Sequence, residues 1–439
     1  MKHDGAGATA SEIAEAAERL RAAGAQLRER TRTQALDAAC AVLELWRAPE
    51  SPWRRRLEDE IGERCGFSLA TVREGLARGL EPWTSDALRA LVRSELGADH
   101  PAPHSSGERR IVSGFEITSV LLAGSIPMPS ILSLLLPLVL RSPVLAKPAS
   151  RDLVTAPLFA ASLAEVDALL ARSIESVSFA SEDAQCAAAF FASPCVVATG
   201  SDVTLAQVAA FVKPPQRLVG YGHRLSIAVL GEGASSGAAL DDAARGLALD
   251  VALWDQQGCL SPVAVYVEDP DSGAVGRVAE ALARALDRIE ERLPRGSVPR
   301  QAAAEIARER DEARMRAAAP RPVAVHASKG TQWTVVREDD ARLRPAPLHR
   351  FVRVHPVATR AELRAALRPL SPHLAAVAIA GFGSGDAQRE LARQLAMLGA
   401  SRLCVPGQMQ SPPLGWHHDG QSVLLPMARV SDLECDRPS

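Results

Sequence analysis

From residue 8 to residue 97 apolar positions recur every three or four residues, as in IAEAAERLRAAGAQLRERTRTQALDAACAVLELW and LATVREGLARGLEPWTSDALRALVRSEL. That spacing lays one apolar stripe along each segment, so the region is predicted to be all-helical. The pattern stops at HPAPHSSGERR, 100–110, where Pro, Ser and Gly cluster as they do in linkers. Beyond it short apolar runs alternate with helical stretches. Strands are predicted near 117–124, 143–147, 174–179, 195–199 and 217–221, with helices near 128–140, 152–170, 182–192 and 202–212. Such alternation implies right-handed crossovers and a parallel sheet that binds ligands at the carboxyl ends of its strands. A second α/β set follows, with apolar runs at 225–230, 262–267, 323–326, 351–357, 374–380 and 402–405. Within it the charged stretch 272–318 reads as a pair of solvated surface helices.

One stretch, ITSVLLAGSIPMPSILSLLLPLVLRSPVLA at 117–146, has the hydrophobicity of a membrane span. Prolines at 127, 129, 137 and 143 cut it into pieces shorter than the roughly 20 apolar residues a spanning helix needs, so a buried strand, turn and helix fit better. The 439 residues, 47% of them apolar, exceed one ordinary core and point to two or three domains. A net charge of -2 supplies no bulk positive field, which argues against a dedicated nucleic-acid binder. Cysteines at 40, 65, 186, 195, 259, 404 and 435 form an odd set with no CxxC pair. Neither a disulfide framework nor a zinc site is suggested, and a reducing cytoplasm is the expected home. The N-terminus lacks the apolar core of a signal peptide. No GxGxxG is present, so no standard dinucleotide fingerprint can be claimed.

Cys259 stands apart from the other cysteines. Cys186, Cys195 and Cys404 sit inside apolar patterns and belong to the core. Cys259 follows a helical stretch, DDAARGLALDVALW, and precedes a strand, SPVAVYVED. Between glycine and strand, a cysteine can point its sulfur into a cleft while its N–H stays free to donate, and Gly258 lets a ligand come close to the backbone. This succession resembles the nucleophile segment of the aldehyde dehydrogenase superfamily. The longer DQQGCLSP resembles more closely its acyl-CoA reductase branch, the LuxC-type enzymes that make aldehydes from fatty acyl thioesters. LLAGSIPMPS (121–130), AKPAS (146–150), ATGSDVTLAQV (198–208) and GQMQSPPLGWHHDG (407–420) are similar to further landmarks of that family, in the order it requires.

The resemblance implies an α/β, aldehyde dehydrogenase-like fold: two α/β domains with parallel-type sheets plus an N-terminal helical region. The expected divisions are a helical region and linker (1–105), a Rossmann-like cofactor-binding domain (106–228), a catalytic α/β domain (229–405) and a C-terminal segment (406–439). It implies that the Cys259 thiolate takes the acyl group from acyl-CoA or an acyl-carrier thioester, and that a nicotinamide then reduces it to an aldehyde. The Cys259 N–H would face the oxyanion. Relatives place an asparagine amide where this chain has Ser125, which either assists the oxyanion less directly or only satisfies a turn. Where aldehyde oxidisers carry a water-activating glutamate, YGHRLS (221–226) has no carboxylate, which favours thiol exchange over hydrolysis. His223 is the candidate for proton transfer there, with Glu232 as a fallback.

For the cofactor, Lys147 would hold ribose or phosphate, and Gly200 and Ser201 would face the pyrophosphate at a helix start. Ser150 and Arg151 replace the acid that selects NAD, so NADPH is expected. The nicotinamide-ribose glutamate of the superfamily has no counterpart in HRFVRVHP, 349–356. His417, His418 and Asp419 are expected to order the C-terminal segment, with no metal. The apolar run 131–140 reads as the core face of a helix or the lining of an acyl tunnel. A homo-oligomer is expected, together with an acyltransferase or synthetase partner and no membrane span. Three alternatives stay open: an aldehyde oxidiser, an inactive superfamily member serving as a subunit, and a phosphate-linked reductase.

Overall fold

The computed structural model describes residues 7–97, 109–269, 273–319, 323–383 and 385–433. Five helices open the chain: α1 (Ala10–Glu29), α2 (Arg32–Arg47), α3 (Pro52–Cys65), α4 (Leu69–Leu80) and α5 (Ser85–Leu96). Thr9 and Thr31 close capping boxes with Glu12 and Gln34, which satisfy donors that the first turns of α1 and α2 would leave unpaired. The expected linker lies outside the described residues up to 108. Its last two residues instead begin strand β1 (Arg109–Gly114).

β2 (Thr118–Leu121), a turn and α6 (Pro127–Val139) account for the membrane-like stretch, and β3 (Val144–Lys147) follows. Among the described residues no helix is long and apolar enough to cross a membrane. Helix α6 is buried on most of its surface, among them Ile131, Leu134, Leu135 and Leu138, so the run 131–140 is core and not a tunnel wall. Next come α7 (Thr155–Val166), α8 (Ala168–Ala171), β4 (Ile174–Ser176), α9 (Ala184–Phe190), β5 (Cys195–Thr199), α10 (Asp202–Phe211) and β6 (Arg217–Tyr221). Five strands pair in the order β4-β3-β2-β5-β6, all parallel. The chain winds outward from β2 in one direction and from β5 in the other, so a crevice opens at their carboxyl ends. Helices α2 and α3 cover α6 and α7 on one face of this sheet, and α1 lies against α9. Trp46 donates to Ser162 at 2.9 Å, and Arg30 pairs with Asp167, so the N-terminal helices are packed onto the sheet.

The remaining elements are β7 (Leu225–Leu230), α11 (Gly237–Ala252), β8 (Pro262–Glu268), α12 (Ala274–Arg292), α13 (Arg300–Ala317), β9 (Ala324–Ala327), β10 (Thr334–Arg337), β11 (Phe351–Val357), α14 (Arg360–Leu367), β12 (Leu374–Ala380), α15 (Asp386–Met397), β13 (Arg402–Cys404) and β14 (Ala428–Leu433). Seven of these strands pair in the order β13-β12-β7-β8-β11-β10-β9, with only β9 antiparallel. The change of sheet falls between Tyr221 and Leu225, a few residues before the expected 228. Helix α12 corrects the reading of 272–318 as a solvated pair: it buries Val275, Val278, Leu282, Leu286 and Ile289 against α11 and the sheet. Its charges sit on the opposite face, and charge counting alone had hidden the apolar stripe. Helix α13 is the solvated one, burying Ile306, Arg310 and Ala313. The last strand, β14, returns to pair antiparallel with β1, a long-range contact that no local pattern announces.

Candidate active site

The segment before Cys259 is bent by three consecutive left-handed residues, Trp254 (φ 54), Asp255 (φ 49) and Gln256 (φ 63). Side chains with a Cβ pay roughly 1–2 kcal/mol each for that conformation, so the surroundings must hold them there. Asp255 accepts from Arg350 Nε at 2.9 Å, from its Nη2 at 2.6 Å and from the Gly296 N–H at 3.0 Å. Gln256 donates to the carbonyls of Pro262 and Phe351 and accepts the Phe351 N–H at 2.8 Å, replacing strand pairing with a side chain. Trp254 packs edge-to-face on Phe67, with ring centroids 5.4 Å apart. The acid and first amide of DQQGC are therefore braces for the turn that presents the cysteine.

The N-terminal region reaches this turn directly. Helix α4 lies over it, and a methyl group on Gly75 would stand 2.4 Å from the Trp254 ring. Gly75→Ala gains about 1 kcal/mol of helix propensity. Overpacking costs about 1–3 kcal/mol and wins, because a buried indole cannot move aside. The substitution is expected to lower stability in urea unfolding and to slow any reaction of Cys259.

Among the described cysteines only Cys259 is exposed; the others are buried or half-buried. Its carbonyl accepts from Ser226 Oγ at 2.7 Å, and Ser226 Oγ in turn accepts the Ala376 N–H at 3.1 Å, which ties the loop to β7 and β12. Protein encloses the sulfur closely enough that burial, the largest influence, pushes the thiol up to about 11. Asp419 adds to that rise, while the N–H groups of Cys259 and Leu260 and the Arg224 guanidinium oppose it. Those two N–H groups therefore face the sulfur, where a tetrahedral oxyanion would form. Gly258 lies against Ile126 and Gln410: a Cβ would meet Ile126 Cδ1 at 3.0 Å, so any side chain there would have to displace the isoleucine's tip. Gln410 in turn donates to Ser261 at 2.7 Å and to the Asp250 carbonyl at 3.2 Å. Burial pushes the Asp250 carboxyl up to about 7, although the N–H groups of Gly407 and Met409 oppose the rise. Asp250 thereby ties the C-terminal segment to α11.

Ser125 is buried across the crevice, four residues after the end of β2 and one residue after Gly124, whose φ of 87 glycine tolerates. Its hydroxyl lies 3.5 Å from Gln257 Oε1, so the serine meets the loop through that amide. His223 is held by its N–H on Asp202 at 3.0 Å, with its ring against His373 at 5.6 Å. The neighbour, Arg224, is the residue of YGHRLS that reaches the thiol electrostatically. Glu232 sits beyond the far end of β7, whose first residues are the ones beside Cys259.

At the crevice of the five-stranded sheet, Lys147 ends β3 with its ammonium 4.8 Å from the centre of the Phe179 ring. Burial lowers its pKa from the usual lysine value, with Glu182 opposing. Ser150 and Arg151 form an exposed turn closed by the Ala149–Asp152 bridge, and the Arg151 carbonyl accepts from the Cys65 thiol at 3.1 Å. Ser201 caps α10 by accepting the Thr204 N–H at 3.1 Å. Gly200 precedes it, with Thr204 within 3.0 Å of where a Cβ would stand. Asp202 places a carboxylate at the same helix start, turned toward the His223 N–H and, at 3.8 Å, toward His373.

The fold thus brings Cys259, Gly258 and, through Gln257, Ser125 together, and sets Lys147, Ser150, Arg151, Gly200 and Ser201 along the neighbouring crevice. Two charged residues that act on the thiol electrostatically were missed as site residues. Arg224 was passed over beside His223, and Asp419 was assigned to ordering the C-terminal segment. Arg224 Nε lies 2.9 Å from Asp419 Oδ1. His418, beside Asp419, stacks on Tyr221 with centroids 4.7 Å apart, which seats the C-terminal turn on the end of β6. HRFVRVHP supplies Arg350, the buried brace of the loop, where a ribose-binding acid had been sought. No group of three or more His, Cys, Asp or Glu side chains placed to hold a metal is found among the described residues.

The profile of the family described as Acyl-CoA reductase (LuxC) matches residues 29–430. No curated protein matches the chain. Solved structures resemble it throughout. The Δ-pyrroline-5-carboxylate dehydrogenase of Mycobacterium tuberculosis is 16% identical with a TM-score of 0.71, over 99% of this chain and 84% of that one. A putative methylmalonate-semialdehyde dehydrogenase of Sinorhizobium meliloti, complexed with NAD, is 15% identical with a TM-score of 0.72, over 99% and 91%. A NAD-dependent benzaldehyde dehydrogenase of Corynebacterium glutamicum gives 15% and 0.68, over 97% and 90%. These likenesses establish the aldehyde dehydrogenase fold.

Proposed function

Because the chain belongs to the acyl-CoA reductase (LuxC) family, and is an aldehyde-forming reductase on that ground, we propose that it reduces a fatty acyl thioester with NADPH through an acyl group held on Cys259. The observation that carries this reading is that Cys259 is an exposed residue whose thiolate two backbone N–H groups favour. The thiolate attacks the acyl carbon and expels the carrier thiol, which belongs to coenzyme A or an acyl carrier. The Cys259 and Leu260 N–H groups hold the oxyanion, each contributing about 3–4 kcal/mol by analogy with other oxyanion donors. Ser125 orients Gln257 beside them. NADPH, when bound, supplies the hydride that converts the acyl group to an aldehyde.

The residues of the crevice fit a dinucleotide. Lys147 offers a half-buried ammonium, and the first N–H groups of α10 after Gly200 and Ser201 suit a pyrophosphate. Ser150 and Arg151 are exposed at the turn after β3, where a 2′-phosphate would gain a charge-assisted hydrogen bond and meet no acid at 150. Arg151→Ala is expected to cut the preference for NADPH over NADH by roughly tenfold, the equivalent of about 1.4 kcal/mol. Steady-state kcat/KM with the two cofactors reads this, and an unchanged ratio refutes the assignment. A homo-oligomer would bury the exposed Ile111 and Val430 of the β1–β14 ribbon. One observation, that the negative charge of Asp419 acts on the thiol, favours aldehyde oxidation as the second reading. Free acid released from an aldehyde and NADP without added thiol would identify it.

The mass of the intact protein after incubation with acyl-CoAs of several chain lengths tests the main reading. An adduct on Cys259 supports it; no adduct at any length overturns it.

A further inference from the structure

On the reading that Cys259 is acylated, we propose that an acidic acyl-carrier protein delivers the acyl group, docking in the arginine-rimmed groove between α11 and α12 beside the catalytic turn.

The groove, about 440 Å³, runs between the C-terminal halves of the two helices. Leu249, Ala285 and Ile289 make its floor, and Arg245, Arg288 and Arg292 its rim, against one acid, Asp242. The local excess is therefore positive, in a chain whose net charge is -2. Asp242 is paired with Arg245, whereas Arg288 and Arg292 are exposed and form no ion pair among the described residues. The charges of α12 are also sorted by sign. At about 3.6 residues per turn, Arg277, Arg284, Arg288 and Arg292 share one stripe, and Glu280, Asp287, Glu290 and Glu291 share the next. The arginine stripe borders α11; the acidic one turns away, where Asp287 accepts from Trp333 and Glu290 from Arg350. Arginines four residues apart repel one another and weaken a helix, so local stability does not account for the stripe. A one-signed face suits a partner of the opposite sign.

The position suits delivery. Helix α11 ends at Ala252, and Arg245 stands about 10 Å along the helix from that end, where the segment bearing Cys259 begins. Just after Arg292, the Leu293 carbonyl accepts from Arg350, the guanidinium that also holds Asp255 in the catalytic turn. Arg292 borders a second depression as well, about 640 Å³, walled by α3 and α4 and bearing Arg55 and Arg73. Of its acids, Glu58 and Glu74 are paired with Arg54 and Arg78, and Asp59 is exposed. Positive surface thus continues from the groove to α4, the helix that covers Trp254.

A protein surface fits this groove better than a nucleotide does. Among the described residues no aromatic ring lines it for an adenine, and both helices end there, so no helix N-terminus offers N–H groups to a phosphate. Arg284, Arg288 and Arg292, spread over about 12 Å, match carboxylates spaced four apart on an acidic helix, whose apolar side would meet Leu249 and Ile289. Of the two vehicles for a fatty acyl thioester, coenzyme A and a carrier protein, the groove selects the second.

The probes are a bacterial acyl carrier protein charged with a fatty acid and the matching acyl-CoA. In the double variant Arg288→Glu with Arg292→Glu, KM for the acyl carrier is expected to rise by roughly tenfold or more with kcat kept, because reversal sets like charges against each other. KM for acyl-CoA is expected to stay within about twofold, since exposed arginines contribute little to the fold. Added salt raises the wild-type KM for the carrier and scarcely that of the variant. An equal rise for acyl-CoA assigns the groove to coenzyme A and overturns the proposal, as does a carrier KM that reversal leaves unchanged. Loss of self-association in the variant assigns the groove to a second copy of the chain and overturns it too. Fluorescence anisotropy of the unacylated carrier with Cys259→Ala separates docking from chemistry: binding that charge reversal abolishes supports the groove, and no binding overturns it. Failure of the acyl-enzyme reading is distinct, because the wild-type protein then shows no adduct with either thioester.

Discussion

Cys259→Ala is expected to take up no acyl group and to lose thioester-dependent NADPH consumption by at least roughly 10⁴-fold, while keeping its fold. Removing a nucleophile abolishes the covalent route and leaves only what binding and oxyanion donors provide. The fold survives because the residue is exposed and its one fixed contact, the carbonyl accepting from Ser226, belongs to the backbone. Substituting Cys186 or Cys195 serves as the control. Both are buried, and burial pushes the Cys195 thiol up to about 12, so neither competes as an acyl acceptor. Intact mass and absorbance of NADPH give the two readouts. Full activity in Cys259→Ala refutes the assignment.

Arg350→Ala is expected to be the most destabilising single change near the site, by about 3–5 kcal/mol, because it leaves buried charge without its partner. Arg350 is fully buried and donates to Asp255, to Glu290 at 2.7 Å, and to the carbonyls of Leu293 and Ala252. Its loss strands Asp255, itself 1% exposed, inside a turn already held in the left-handed region. Arg19→Ala offers the contrast. That arginine pairs with Glu175 at 2.7 Å but is largely exposed, and such pairs contribute about 0–1 kcal/mol. Urea unfolding of both variants checks the difference, and comparable losses would mean that the buried network does not hold the loop. Arg350→Ala should also slow Cys259 acylation more than its residual folded fraction explains, because the turn that aims the sulfur has lost its brace.

Much of this was legible before any coordinates. The strands at 195–199, 217–221, 225–230, 351–357 and 374–380 carry their apolar runs to the very residues that pair. Buried parallel strands read as continuous apolar segments, and turn residues bound them. Strand β10 was missed because its apolar core is only the Val335–Val336 pair between polar residues, and α14 and α15 because their apolar stripes are narrow. The linker ran two residues too far, since pairing with β14 extends β1 into what composition marks as loop.

The candidate site divides in the same way. By itself the sequence singled out Cys259 as the candidate nucleophile and determined the parallel α/β architecture and the order of the segments around the cysteine, because these depend on residue type, local spacing and period. Only the tertiary structure decided the partners. Asp255 meets Arg350 across 95 positions, Gly75 makes room for Trp254, and Asp419 arrives beside Arg224 from the far end of the chain. Burial and opposite charge select such pairs only after the sheets have formed, and neither leaves a periodic mark on the sequence.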